Sequence, residues 1–188
     1  VTEAEMMNRV GAYAYFEDDD AQAVKIPYRR GAYSMTIVLP RERDGIGELE
    51  RRLAQARWPD SFAGEMERRM VNLSVPRFRV ESTFSLNRAV ESIGAASAFN
   101  RETADFSGMN GRGDLYISEA VHKAFIDVNE DGTEAAASTA LAVSRTSAAL
   151  DESPPVVFRA DHPFIFVIRD EMSGAVLFMG KVARPGRD

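Results

Sequence analysis

Apolar and polar positions alternate along much of this chain, and in a strand successive side chains point to opposite faces. Val10 to Phe16 and Val24 to Tyr28 read as strands, with Asp18-Asp19-Asp20 as the turn between them. Ala32 to Leu39 is a third strand, closed by Pro40. The period then changes. Ile46, Leu49 and Leu53 recur at spacings of three and four, which predicts a helix. Ser61 to Met70 reads as a second, shorter helix with Phe62, Met66 and Met70 on one face. Met70 to Glu81 returns to alternation through Val71, Leu73, Val75, Phe78 and Val80, and Pro76 marks an edge or a bend. Ser85 can cap a third helix carrying Leu86, Val90 and Ile93, with Gly94 as its stop. Phe99 to Asp114 is loop-like, and Leu115 to Val128 is strand-like after its first residues. Val156 to Phe158, Pro163 to Arg169 and Ala175 to Val182 close the chain as strands, the last two joined by a turn at Met172-Ser173-Gly174. No repeat or linker divides these elements. The class is α+β, with mixed and antiparallel sheets, few helices and more strand than helix.

One stretch follows neither period with bulky residues. After the apolar segment Ala120 to Val128 come a Gly and a run of Thr, Ala and Ser. Thr133, Ala135, Ala137, Thr139, Leu141 and Val143 form one alternate set, small or apolar throughout. Glu134, Ala136, Ser138, Ala140, Ala142 and Ser144 form the other, which carries the charge and both serines. Such a segment can slip between strands, because small side chains cost little to bury. An Ala-rich linker and a short helix are the competing readings, since Ala favours helix. The sorting of the two sets favours a mobile segment able to become a strand.

Composition narrows the chemistry. The 188 residues are 45% hydrophobic and 28% charged, as in a globular domain. The net charge of −6 argues against a nucleic-acid backbone as partner. With no Cys, disulfide scaffolds, thiol nucleophiles and Cys-based metal sites are excluded. No apolar run approaches the ~20 residues of a membrane span, so no membrane partner is expected. No basic start followed by an apolar stretch marks a targeting peptide. The abrupt start at Val1 suggests a processed chain or a fragment.

Metal and catalytic motifs fare poorly. Asp127-x-Asn129-x-Asp131-Gly132 imitates the start of a calcium loop, but the twelfth position is Ser138 rather than Glu and the flank is strand-like. His122 and His162 lie forty residues apart, without zinc spacing or a nucleophile elbow. His122, on an apolar strand, reads as an interior, hydrogen-bonded residue, and His162 as packed at a strand start. Arg112-Gly113-Asp114 reads as chance in a Gly-rich turn. No residues support an enzyme, a metal or a cofactor.

Taken together, these residues resemble the serpin family. Glu130-Asp-Gly-Thr-Glu-Ala-Ala-Ala-Ser-Thr139 looks like the hinge of an inhibitory member's reactive loop. Glu119 to Ala124 resembles the central-sheet strand leading into it. Leu73-Ser-Val-Pro-Arg-Phe78, Glu81, Leu86, Ile93-Gly94, Ala98-Phe99 and Asp105-Phe-Ser-Gly108 repeat the family pattern upstream. Met6-Met7, His162-Pro-Phe164 and Phe178-Met-Gly-Lys181 fit further strands. The resemblance runs from about residue 1 to residue 183, the C-terminal part of a single serpin domain. Its N-terminal half has no counterpart here and is the first partner implied. The absence of Cys and the short tail Arg184–Asp188 point to a bacterial member.

The resemblance implies an exposed reactive-centre loop over about residues 130–155 and a target serine protease as second partner. The cleaved loop inserts into the central sheet and traps the protease as an acyl-enzyme, a use of strand addition and stored strain already known for this family. A non-inhibitory member acting as a binding or chaperone-like protein is the alternative. The hinge comprises Glu130, Gly132, Thr133, Glu134, Ala135, Ala136, Ala137, Ser138 and Thr139, and the structural switch involves His122 and Arg77, the family's basic residue after Pro76, which the resemblance pairs with Glu130 at the top of the central sheet. Family spacing, counted with Glu130 as the first residue, places the scissile bond at Thr146–Ser147, with Arg145–Thr146 one step away. Thr146 suits a chymotrypsin- or elastase-like protease and Arg145 a trypsin-like one. The compartment is left open, with a soluble, extracellular setting favoured over a cytoplasmic one.

Overall fold

Twelve residues in extended conformation, Met6–Glu17, form β1, the strand around which one sheet is built. β2 (Ala21–Pro27) and β3 (Tyr33–Pro40) follow it as an antiparallel meander. Asp18 makes the β1–β2 turn. Its backbone N–H donates to the Ala21 carbonyl, and its carboxylate accepts from the N–H groups of Asp20 and Ala21. β4 (Glu67–Pro76) lies antiparallel to the other side of β1, from Met6 opposite Pro76 to Tyr15 opposite Glu67. β7 (Val156–Arg159) adds parallel to β4, while β8 (Phe164–Asp170) and β9 (Val176–Val182) extend the opposite flank beyond β3. The order is β7-β4-β1-β2-β3-β8-β9. β5 (Phe78–Ser85) and β6 (Val121–Val128) form a separate two-stranded sheet. The computed structural model describes residues 4–28, 31–55, 65–130 and 154–184.

Among the described residues, those within 1–79 and 127–188 form one compact unit and those within 80–126 another. In the first, Val24, Ile37, Val38, Phe158, Phe164 and Val167 are fully buried. Burying each such side chain contributes roughly 1.5–3 kcal/mol. Helix α1 (Ile46–Gln55) covers part of the sheet with the face the spacing indicated. Leu49 is buried against Ala21, Ala23, Val38 and Ile165, and Ile46 and Leu53 pack beside it. The β8–β9 turn falls at the expected place. Gly174 adopts φ +74° and donates its N–H to the Asp170 carbonyl.

Several expectations need correction. Residues 67–70, read as the end of a helix, are strand. They extend the β1 ladder through Tyr15–Glu67, Ala14–Arg68, Tyr13–Arg69 and Ala12–Met70. Helix propensity is a weak preference, and a long strand with open backbone groups overrides it. Ser61 and Phe62 lie outside the described residues, while Met66 packs against the α1 core as an apolar residue should.

In the second unit the helix after Ser85 begins with Leu86 at the capping position, and the Ser85 hydroxyl only reaches the Asn87 N–H at 3.4 Å. Gly94, at φ +104°, leaves helical geometry and ends the first helical path as the sequence indicated, and a separate short helix, Ala96–Phe99, follows it. The stretch read as loop contains a short helical turn, Ser107–Asn110. Asp105 accepts from the Ser107 N–H before it, and Gly111, at φ +71°, follows it.

Candidate functional site

Arg77 is the single residue between β4 and β5. Pro76 before it is fully buried, and Phe78 after it packs edge-on against Phe164, with ring centroids 5.5 Å apart, and at a tilt against Phe166, at 5.4 Å. The apolar neighbours hold the backbone, so the guanidinium projects from a fixed base. The Arg77 backbone N–H donates to the Glu5 carbonyl at 2.8 Å, continuing the β1–β4 ladder one step past Met6 and Pro76.

At the far end of β6 the chain reaches Asp127, Asn129 and Glu130. The Asn129 amide donates to the Asp127 carboxylate at 3.3 Å. Arg77 meets Glu130 as a fork: Nε donates to Oε2 and Nη2 to Oε1, each at 2.6 Å. Paired, parallel hydrogen bonds of this kind fix orientation as well as distance. The remaining nitrogen, Nη1, donates to the Glu5 carboxylate. Arg77 is raised above its ordinary range, first by the Glu130 hydrogen bonds and then, against partial desolvation, by the charges of Glu130 and Glu5.

Beside the fork lies a cavity of about 390 Å³. Met7, Tyr13, Ile26, Ile37, Leu73 and Val75 supply apolar lining, and Asp127 to Glu130 form part of its wall. The segment that precedes residue 131 is thus held by a charged clamp over an apolar surface. Chemically, this arrangement can grip and release a backbone segment. It offers no nucleophile with a base, and among the described residues no group of His, Asp and Glu could hold a metal ion.

The structure brings Arg77 and Glu130 together, as the sequence led one to expect. It does not place His122 as expected. His122 is exposed on β6, and its ring lies against Phe84, with centroids 5.1 Å apart. Interior status needs neighbours on both sides of a strand, and among the described residues β6 pairs with β5 alone in a two-stranded sheet. Gly132, Thr133, Glu134, Ala135, Ala136, Ala137, Ser138 and Thr139, and the bond residues Arg145, Thr146 and Ser147, lie outside the described residues. Glu5 was missed. Its position precedes the first paired residue of β1, and only the register of β1 against β4 sets it beside Arg77. His162 packs at the entry to β8, with Nε2 2.7 Å from the Pro40 carbonyl and Nδ1 2.9 Å from Asp161 Oδ1.

A seven-stranded mixed sheet with an Arg–Glu clamp at the end of β6 is the arrangement the described residues present. The chain belongs to the serpin family: the family profile described as Serpin (serine protease inhibitor) matches residues 1–185. An uncharacterized serpin-like protein of Thermococcus kodakarensis is 39% identical over 180 residues, which cover 96% of this chain and 41% of that protein. The human leukocyte elastase inhibitor is 38% identical over 179 residues, 93% of this chain and 46% of that protein. Among solved structures, uncleaved ovalbumin superposes with a TM-score of 0.76 at 29% identity, covering 97% of this chain and 48% of that one. A tumour-suppressing serpin gives 0.75 at 26%, covering 97% and 47%. The chain therefore spans less than half the length of these relatives. A prokaryotic relative is among them, archaeal rather than bacterial. Their names add no support for an extracellular setting, and no described helix is long and apolar enough to cross a membrane.

Proposed function

We propose that this chain is the C-terminal part of a serpin domain that inhibits a serine protease as a suicide substrate, and is not itself an enzyme. The observation that carries the reading is the Arg77 fork on Glu130, set where β6 gives way to the segment of small residues. The clamp fixes the entry point. Beyond it, Thr133, Ala135, Ala136 and Ala137 are small enough to enter a sheet as a new strand. A binding or chaperone-like role without inhibition would tolerate bulky, charged or Pro residues in these positions, and none is present. The reactive bond is Thr146–Ser147, or Arg145–Thr146 one step earlier. A relative named for inhibiting leukocyte elastase supports an elastase- or chymotrypsin-like target, and cutting after Arg145 would indicate a trypsin-like one. The N-terminal half of the domain is the other partner. It would supply the neighbours that β5 and β6 lack here.

Trapping is a race between loop insertion and hydrolysis of the acyl-enzyme. An Arg at position 133 must be desolvated between strands, at a cost of several kcal/mol unless it finds a partner. Each ~1.4 kcal/mol added to the insertion barrier slows insertion about tenfold. Thr133→Arg in the full-length protein therefore yields cleaved loop and free protease. Glu134→Arg, in the outward set, keeps the covalent complex. Denaturing gels with an elastase-like and a trypsin-like protease, read with intact masses, locate the cut and show whether a complex persists. A wild-type yield of complex from Thr133→Arg would rule out insertion as the mechanism.

A further inference from the structure

One guanidinium serves two carboxylates. Arg77 gives Nε and Nη2 to Glu130 and Nη1 to Glu5. The two acids differ in how they are held. Glu5 is anchored by backbone, through the Arg77 N–H to its carbonyl, and sits next to the long β1–β4 ladder. Glu130 is followed by the segment that must move if the loop inserts. With both carboxylates charged, the cluster carries one positive and two negative charges, so the acids repel each other across Arg77 and each weakens the other's grip. When Glu130 departs, Glu5 stays and keeps the guanidinium partnered.

We propose that Glu5 is a positioning residue that loosens the hinge: by sharing Arg77 it weakens the Arg77–Glu130 clamp and lowers the cost of releasing Glu130. The functional consequence, faster loop entry, rests on the trapping role proposed above, whereas the effect on the hinge does not. Glu5 is well suited to the part. Its side chain is 75% exposed, against 34% for Arg77 and 38% for Glu130, so it contributes charge without being needed for packing. Exposed pairs are weak and screened, and the effect is accordingly a modest change in rate.

The test is amide hydrogen exchange at residues 127–130 in the uncleaved full-length protein, which reports opening without any protease. Glu5→Gln retains the backbone bond and removes the charge. It should slow exchange there by about two- to fivefold at low salt. The difference should disappear at about 1 M salt, where the screening length falls to about 3 Å. It should also disappear in an Arg77→Gln background, because the coupling runs through that guanidinium. Unchanged or faster exchange in Glu5→Gln overturns the proposal. So does a slowing that survives in Arg77→Gln or at high salt, since that would be a local structural effect. Covalent-complex yield is scored separately. Slower exchange in a protein that never forms a complex supports the role of Glu5 and sinks the trapping reading. A complex formed by a protein whose hinge exchange ignores Glu5 does the reverse.

Discussion

At the scale of single residues, charged side chains on this chain are placed by neighbours that sequence spacing does not reveal. Asp161, between β7 and β8, shows it. His162 Nδ1 lies 2.9 Å from its Oδ1, Arg43 Nη1 3.3 Å from the same oxygen, and Arg159 Nε 3.5 Å from Oδ2. The His162 hydrogen bond, opposed by partial burial and reinforced by Arg43, holds the Asp161 carboxyl below its usual range. A carboxylate with a depressed folded value stabilises the fold above its unfolded value, near 3.9, and loses that contribution as pH falls through the folded one. Asp161→Asn should thus lower stability at pH 6 by at most about 1 kcal/mol, a limit set by solvent screening of a group about a third exposed. The deficit should shrink as pH falls through the folded value and vanish well below it. Denaturant unfolding of both proteins across that range decides it, and a deficit constant with pH would count against the charge. None of this cluster was legible beforehand except the packing of His162. By contrast, the Arg77–Glu130 pair was readable, because both residues stand inside family motifs.

At the scale of elements, alternation and spacing found most strands and helix α1, and their mistakes share a cause. The helix expected to end at Met70 became strand because β1 offers twelve residues of backbone for pairing. Local preference of a few tenths of a kcal/mol per residue does not compete with a complete ladder. Gly180 in β9 is a position where the neighbouring strand dictates the residue. It lies opposite Phe166, and a Cβ built there would come within 2.8 Å of the Phe166 ring, which is itself buried. Gly180→Ala must displace that ring or the strand, so a loss of about 1–3 kcal/mol is expected. Unfolding midpoints measured alongside Phe166→Leu, which opens room, check the reason. The double variant should recover part of the loss.

At the scale of the whole molecule, apolar surface is distributed as in an incomplete domain. In the first unit β9 exposes Val176, Leu177, Phe178 and Met179 in succession, on both faces of the strand. In the second, Phe84, Ile93, Val121 and Phe125 are exposed. Contiguous exposed apolar surface marks a place where something else packs. The chain spans less than half the length of its relatives, which gives the N-terminal half of the domain as the covering partner in the reading proposed here. Expressed alone, residues 1–188 should bind a hydrophobic dye and associate, and the full-length protein should do neither to a comparable degree. Equal dye binding by both would show that these strands stay uncovered.

The sequence by itself determined the α+β class, the family, the strands and helix α1, and the pairing of Arg77 with Glu130. These depend on periodicity and on short motifs, which are local and survive in a list of residues. Only the tertiary structure decided the strand identity of residues 67–70, the exposure of His122, the cluster around Asp161 and the place of Glu5 beside Arg77. Each of these depends on which strands lie side by side and in what register. Glu5 reaches Arg77 because Met6 pairs with Pro76, and a shift of a single residue would send its side chain to the other face.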